Sequence, residues 1–137
     1  KLFVDGTLGK FVSRNDSRAL QVKADPIHNS QTVPIIVIVS EDTVSYGEIF
    51  AGVLKDLGRA KVVGQTSLGN VEVLHGYNFD DNSQVWIASE TFYSATSETN
   101  FELSGIIPDV EAFAEWDTIT FETDPSIKAA LGLLGHQ

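Results

Sequence analysis

Cysteine is absent from the 137 residues, basic side chains are scarce (9 Lys and Arg against 19 Asp and Glu), and long apolar runs are missing. Each lack excludes something. Without cysteine there is no disulfide, no thiolate nucleophile and no cysteine-ligated zinc; the composition fits a reducing compartment or an exported protein, periplasmic or extracellular. A formal net charge of −10 leaves no concentrated basic surface for nucleic-acid phosphates and disfavours anionic membranes. No stretch approaches the roughly 18 apolar residues of a membrane span, and no basic start followed by an apolar segment marks a signal peptide. What remains is a chain with 42% hydrophobic residues, enough to bury a core as one domain or part of one. A start at Lys1 without methionine, running at once into "LFVDGTLGKFV", reads as a fragment or a processed product.

The hydrophobic pattern changes period along the chain. Lys10 to Arg14 and Ala19 to Lys23 read as strands around the polar cluster "NDS", a hairpin over residues 10–23. "ADPIHNSQT" is loop-like. Pro34 to Val39 is a β-branched run of the kind buried on both faces in an α/β sheet. Tyr46, Ile49, Phe50, Val53, Leu54 and Leu57 then recur at helical spacing, with Gly58 placed for a left-handed cap. "AKVVG" is the next strand, so residues 34–64 form a strand–helix–strand unit with a parallel sheet. Further strands are expected over 71–92, joined at "DDNS", and a C-terminal helix over about 125–134, started by Asp124 or Pro125.

Chemistry concentrates at "EDTVSYGE", where strand gives way to helix. Ser45 and Glu48 fit the S-x-x-E capping box, in which hydroxyl and carboxylate each satisfy an unpaired backbone N–H. The same serine stands at the carboxyl edge of a parallel sheet, where ligands bind, with a helix N-terminus able to stabilise an oxyanion. Cap and nucleophile both remain open on the residues alone. The acidic set "EWDTITFETD" reads as solvated surface with no ligand spacing, so no metal is implied. "GQTSLGN" lacks the Lys and following hydroxyl of a phosphate-cradling loop, and no cofactor is expected. Phe79, Trp86, Phe92 and Tyr93 could line a groove, with core packing the commoner fate. In "GIIPDV", the proline restricts Ile107 to extended geometry and shapes a turn.

From Pro34 onward the sequence resembles the carboxyl-terminal processing (tail-specific) serine peptidases. That family carries S-A-S-A-S-E, then Q-D-x-G-R-A, then G-x-x-T-x-G-K, then G-I-x-P-D-V; here the blocks read "TVSYGEIFAGVLKDLGRA", "GQTSLGN" and "GIIPDVE", in the same order. The resemblance implies an α/β fold, a layered ClpP/crotonase-like sheet-and-helix core of which these residues form the carboxyl-terminal part. It puts the nucleophile on Ser45 and an oxyanion N–H on Tyr46. Glu48 and Asp56 are in supporting places. It implies a polypeptide substrate bound by strand addition, and as partner either the missing amino-terminal half of the domain or a second copy in a homo-oligomer.

One departure matters. Asn70 stands where Ser-Lys members carry the general base, and an amide has no useful basicity near pH 7. The resembling tricorn-like branch uses Ser, His and Glu; Glu90 in "ASETF" is the matching late-strand carboxylate, its His then lying outside this chain. Of the three histidines, His28 is in a loop and His136 at the end, while His75 in "NVEVLH" is near the catalytic blocks, with Glu72 as a possible orienter although 72 and 75 fall on opposite faces of a regular strand. Two functions follow: a serine endopeptidase module acting through an acyl-enzyme on Ser45, or a noncatalytic relative that binds peptides or small apolar ligands.

Overall fold

In the computed structural model, which describes residues 1–113, 115 and 117–135, the first hairpin pairs β1 (Gly6–Ser13) with β2 (Ser17–Val22). Ser13 N–H donates to the Asp16 carbonyl across the polar turn at 2.8 Å. Two further strands, β5 (Val73–Asn78) and β6 (Gln84–Ser94), make a second hairpin. Its turn is closed by Asp81, which accepts the Ser83 N–H at 2.9 Å. The hairpins merge through an antiparallel β1–β6 pairing, giving a sheet of order β2-β1-β6-β5. His136 lies outside the described residues.

The second sheet is parallel. β3 (Ile36–Val39) is followed by α1 (Tyr46–Asp56) and β4 (Lys61–Gly64), and β3 and β4 pair in parallel register from Ile36 opposite Lys61. α1 buries Ile49, Ala51, Val53 and Leu54, positions spread round much of the helix, with Ile49, Val53 and Leu54 each contributing about 1.5–3 kcal/mol when fully buried. The helix packs on β6 of one sheet and β4 of the other, so the core of Phe11, Val62, Phe92 and Phe101 with these α1 residues fastens the two sheets together. Gly58, at φ +64°, ends α1: the Arg59 N–H reaches the Leu54 carbonyl at 2.8 Å, closing the Schellman motif. α2 (Pro125–Leu133), capped by Asp124 at Ser126 N–H, packs on β3 and β4.

Three expectations are corrected. "GIIPDV" does more than turn: Val110–Glu111 forms β7, parallel to β4, locked by Asp109 accepting the Val62 N–H at 2.8 Å. Two residues are too few for a period to show. β3 is an edge strand, and Ile38 stays 45% exposed because the face opposite α1 is only partly covered. Of the four aromatics, Phe92 is core, whereas Phe79 and Trp86 are exposed on the β5–β6 hairpin, which runs out past the body of the sheet.

Candidate active site

β3 ends at Val39, and a turn in which Thr43 Oγ1 accepts the Ser40 N–H at 2.9 Å delivers the chain to Ser45. Ser45 has φ 59° and ψ −125°. An ordinary N-cap is in the β region; a non-glycine residue held at positive φ costs on the order of 1–3 kcal/mol and persists only where its surroundings enforce it. Here they do. Ser45 N–H donates to the Asn70 carbonyl at 2.9 Å and to Glu48 Oε2 at 3.2 Å, while its carbonyl accepts from Glu48 and Ile49. Both contacts of a capping box are in place, the Ser45 side chain toward the Glu48 N–H and the Glu48 carboxylate on the Ser45 N–H, although the Glu48 N–H makes its full hydrogen bond to the Ser45 carbonyl, at 3.0 Å. A serine at positive φ on a sharp strand-to-helix turn is a geometry that a nucleophile elbow also uses.

Glu48 enforces that turn. It is fully buried and forms no ion pair among the described residues, and its carboxylate accepts four hydrogen bonds: Ser67 Oγ at 2.6 Å and Gly69 N–H at 2.6 Å on Oε1, Asn70 N–H at 2.9 Å and Ser45 N–H on Oε2. Ser67 in turn accepts the Ile106 N–H at 2.6 Å. The backbone donors of "GQTSLGN" are thus wrapped around the protein's own carboxylate. Gly105, at φ +65°, permits the approach: a Cβ there would lie 2.2 Å from the Ser67 carbonyl oxygen.

At the head of α1 the N–H groups of Gly47, Glu48 and Ile49 are taken by the Val44 and Ser45 carbonyls. Tyr46 N–H has no acceptor among the described residues. It is therefore a free donor at the positive end of the α1 dipole, one residue after Ser45. Beside Ser45 opens a cavity of about 360 Å³ whose wall includes Tyr46, Ile49, Asn70, Glu72 and Leu74. An apolar cavity of about 320 Å³, containing Phe3, Leu20, Phe50 and Leu54, shares Tyr46 and Ile49 with it.

Of the remaining expected residues Asn70 stays beside Ser45, whereas Glu90, His75 and Asp56 find their partners elsewhere. Asn70 is exposed; its backbone is committed to Ser45 and Glu48 and its side chain lines the cavity. Glu90 lies on β6 opposite Val73 and receives three hydrogen bonds from Arg18, the shortest 2.7 Å. Arg18 also stacks over Phe11 at 4.0 Å, and the bond to Glu90 raises its pKa above the ordinary guanidinium value. His75 is not among the residues lining the Ser45 cavity, and its exposed ring packs edge-on to Tyr77, 4.8 Å between centroids. Asp56 sits at the far end of α1, accepting the N–H groups of Thr96 and Ser97 at 3.2 and 3.1 Å. Partial burial pushes its carboxyl up, but the hydrogen bonds from Ser97 outweigh this and hold it below the usual carboxylate value. Two residues went unread in the sequence. Ser67 completes the Glu48 network, and Glu102 accepts the Val71 N–H at 2.8 Å, next to Asn70; both contacts span long sequence separations that no local pattern encodes.

The sequence model described as peptidase family S41 matches residues 1–112. A probable CtpA-like serine protease of Staphylococcus aureus (strain bovine RF122 / ET3-1) is 26% identical over 153 residues, covering 99% of this chain and 30% of the relative. A chloroplastic carboxyl-terminal-processing peptidase 3 of Arabidopsis thaliana is 29% identical over 102 residues, covering 74% of this chain and 20% of the relative. Among solved structures, a photosystem II D1 C-terminal processing protease superposes with a TM-score of 0.73 at 24% identity, over 96% of this chain and 33% of that one. The chain thus spans a third or less of the length of each of these relatives.

Proposed function

The chain belongs to peptidase family S41, a family of serine-type peptidases, and from that premise we propose that it is the part of a serine endopeptidase that carries the nucleophile, cutting polypeptides through an acyl-enzyme on Ser45. The observation that carries the reading is the strained backbone of Ser45 beside an open cavity, with no acceptor on the Tyr46 N–H among the described residues.

In this mechanism Ser45 Oγ attacks the scissile carbonyl carbon as a base removes its proton. The carbonyl oxygen becomes an oxyanion against Tyr46 N–H. Collapse expels the amine, which leaves with the proton from the conjugate acid of the base, and water then releases the acyl group by the reverse sequence. Asn70 cannot be that base; its amide can donate a hydrogen bond into the cleft. We assign the base to a histidine supplied from outside these residues. Glu90 can orient such an imidazole only in competition with Arg18, whereas Glu102 has no cation partner among the described residues. Glu48 acts as a positioning residue through the backbone of Ser45. An extended substrate laid along the free edge of β5, which leaves the Ser45 cavity at Val73, would be held through its main chain. The amino-terminal half of the peptidase domain or a second copy is the partner this assigns, with an exported location. Among the described residues no helix is long and apolar enough to cross a membrane.

Asn70 and the apolar cavity favour a second reading, a noncatalytic relative that binds peptides or small apolar ligands. Turnover of quenched-fluorescent casein by the full-length protein separates the two. The proposal expects hydrolysis that falls at least about a thousandfold in Ser45→Ala. Hydrolysis undiminished by that change, or binding of casein without hydrolysis, contradicts it.

A further inference from the structure

The last strands of the antiparallel sheet leave the body of the molecule as an arm. β1 ends at Ser13, opposite Glu90, so from Gln84 to Ser89 β6 pairs with β5 alone, and a register shift between Val73 and Leu74 bends the ribbon where it departs. A two-stranded ribbon is marginal in water by itself. This one has apolar side chains on both faces. Directly opposed residues share a face, so Leu74, Gly76, Trp86 and Ala88 lie on one, and His75, Tyr77, Val85 and Ile87 on the other. Leu74 is 52% exposed and Trp86 60%; exposed apolar side chains gathered in one place mark interaction surfaces. Apart from His75, residues 73–79 and 83–89 contain no acid or base, in a chain with 19 Asp and Glu. Gly76 decides where the indole goes. With no side chain on β5 at that point, the Trp86 ring crosses from β6 until its far end lies over Gly76, where an added Cβ would stand 3.0 Å from Cη2 and 3.1 Å from Cζ3. The outer edge of β5 carries neither proline nor lysine, the usual guards against pairing.

We infer that the face built by Leu74, Gly76 and Trp86 is a subsite for a bulky apolar side chain, aromatic or branched aliphatic, of a polypeptide strand added along β5. This rests on the strand-addition reading of the Ser45 site and deepens it. Leu74 both lines the Ser45 cavity and begins this face. Gly76 is two residues farther out, about 7 Å at the rise of a strand. A substrate paired on β5 therefore sets one side chain beside the indole, about two positions along from the residue opposite Leu74, and its neighbours on the other face. The half-exposed ring is open to that side chain, and no charge on the arm has to be desolvated except at His75. Three strands then replace two, which stabilises the ribbon while substrate is bound. Size favours this occupant over a second copy: an edge of six residues is small beside the roughly 20–30 residues a side of a stable protein–protein interface, and suits a segment that must leave after cleavage.

The test is binding by the full-length protein, because binding does not require turnover. Fluorescein-labelled decapeptides of serine and threonine, each with one phenylalanine at a different position, are compared with twins carrying alanine there. At least one phenylalanine peptide is expected to bind about tenfold tighter than its twin, with the gap closing to less than about twofold in Trp86→Ser and returning in Trp86→Tyr. Twins that bind equally, no peptide binding at all, or a preference that survives Trp86→Ser overturns the inference. Trp86→Ser should shift the melting temperature by less than about 5 °C, as a surface substitution does. A larger fall shows the indole packed against another part of the full-length protein, and a dimer lost on the same substitution shows it packed against a second copy; either overturns the subsite. Labelling of Ser45 by a fluorophosphonate is followed in the same samples. A parent that shows the phenylalanine preference but does not label counts against the peptidase reading alone, whereas one that labels without the preference counts against the subsite alone.

Discussion

Replacing Glu48 by alanine should destabilise the protein by about 3–5 kcal/mol, several times what a lost helix cap costs. Four donors converge on its carboxylate. Ser45 N–H keeps the Asn70 carbonyl at 2.9 Å, but Ser67 Oγ–H, Gly69 N–H and Asn70 N–H have no second acceptor. The first two are fully buried, and an unsatisfied buried donor costs about 1–3 kcal/mol. Loss of one partner from a buried charged network reaches about 3–5 kcal/mol, against about 1 kcal/mol for an N-cap. Urea unfolding followed by tryptophan fluorescence measures the difference as a shift in midpoint at unchanged slope. Glu48→Gln gives a milder comparison: one carbonyl oxygen remains, and the amide N–H₂ faces the donors of Ser45 and Asn70. It should stay folded and react more slowly at Ser45, because the backbone that presents the hydroxyl has lost its clamp. A cost below about 1.5 kcal/mol for the alanine variant refutes the network and returns Glu48 to the role of a simple cap.

Other outcomes follow from the same geometry. Ser45→Gly should raise stability by about 1 kcal/mol by relieving positive φ, and Ser45→Ala should leave the thermal melt nearly unchanged; a loss of about 1 kcal/mol in either would mean that the hydroxyl caps α1 after all. Gly105→Ala should cost about 2 kcal/mol or more, since its Cβ has no room beside Ser67 and no favourable φ; a neutral melt contradicts the packing described. Burial pushes the carboxyls of Asp56 and Asp109 up, but hydrogen bonds from Ser97 to the first, and Val62 N–H with Lys55 and Lys61 at the second, bring both below their ordinary value of 3.8. Depressed in the folded state, both groups contribute stability above pH 3.8 that disappears as pH falls through their folded values. Asp109→Asn should therefore lower stability at neutral pH and flatten its acid dependence, as read from urea midpoints between pH 2 and 7; an unchanged acid slope rules out the linkage.

Much of the fold was legible because it rests on local period and punctuation. The helical spacing from Tyr46 to Leu57, the cap at Gly58 and the β-branched run at Ile36–Val39 fall where the elements lie. β7 escaped because a two-residue strand is defined by its neighbour rather than by its own sequence. The exposed aromatics Phe79 and Trp86 escaped because alternation along β5 and β6 does not say where the sheet's body stops. At the candidate site the position of Ser45 was readable, but its dihedral angles were not. The S-x-x-E pattern announced the capping box that forms, but not the long-range donors at Ser67, Gly69 and Asn70 that converge on the same glutamate. Ionic partners were equally hidden: nothing in "ASETF" announces Arg18, 72 residues earlier in the chain.

Mass-spectrometric mapping of a fluorophosphonate adduct on the folded, full-length protein bears most directly on whether Ser45 is a nucleophile. A single adduct on the peptide containing Ser45, absent from Ser45→Ala, is the expected result. A folded protein that takes up no label, or takes it at another hydroxyl, would show that the strained serine at the head of α1 does not attack substrate.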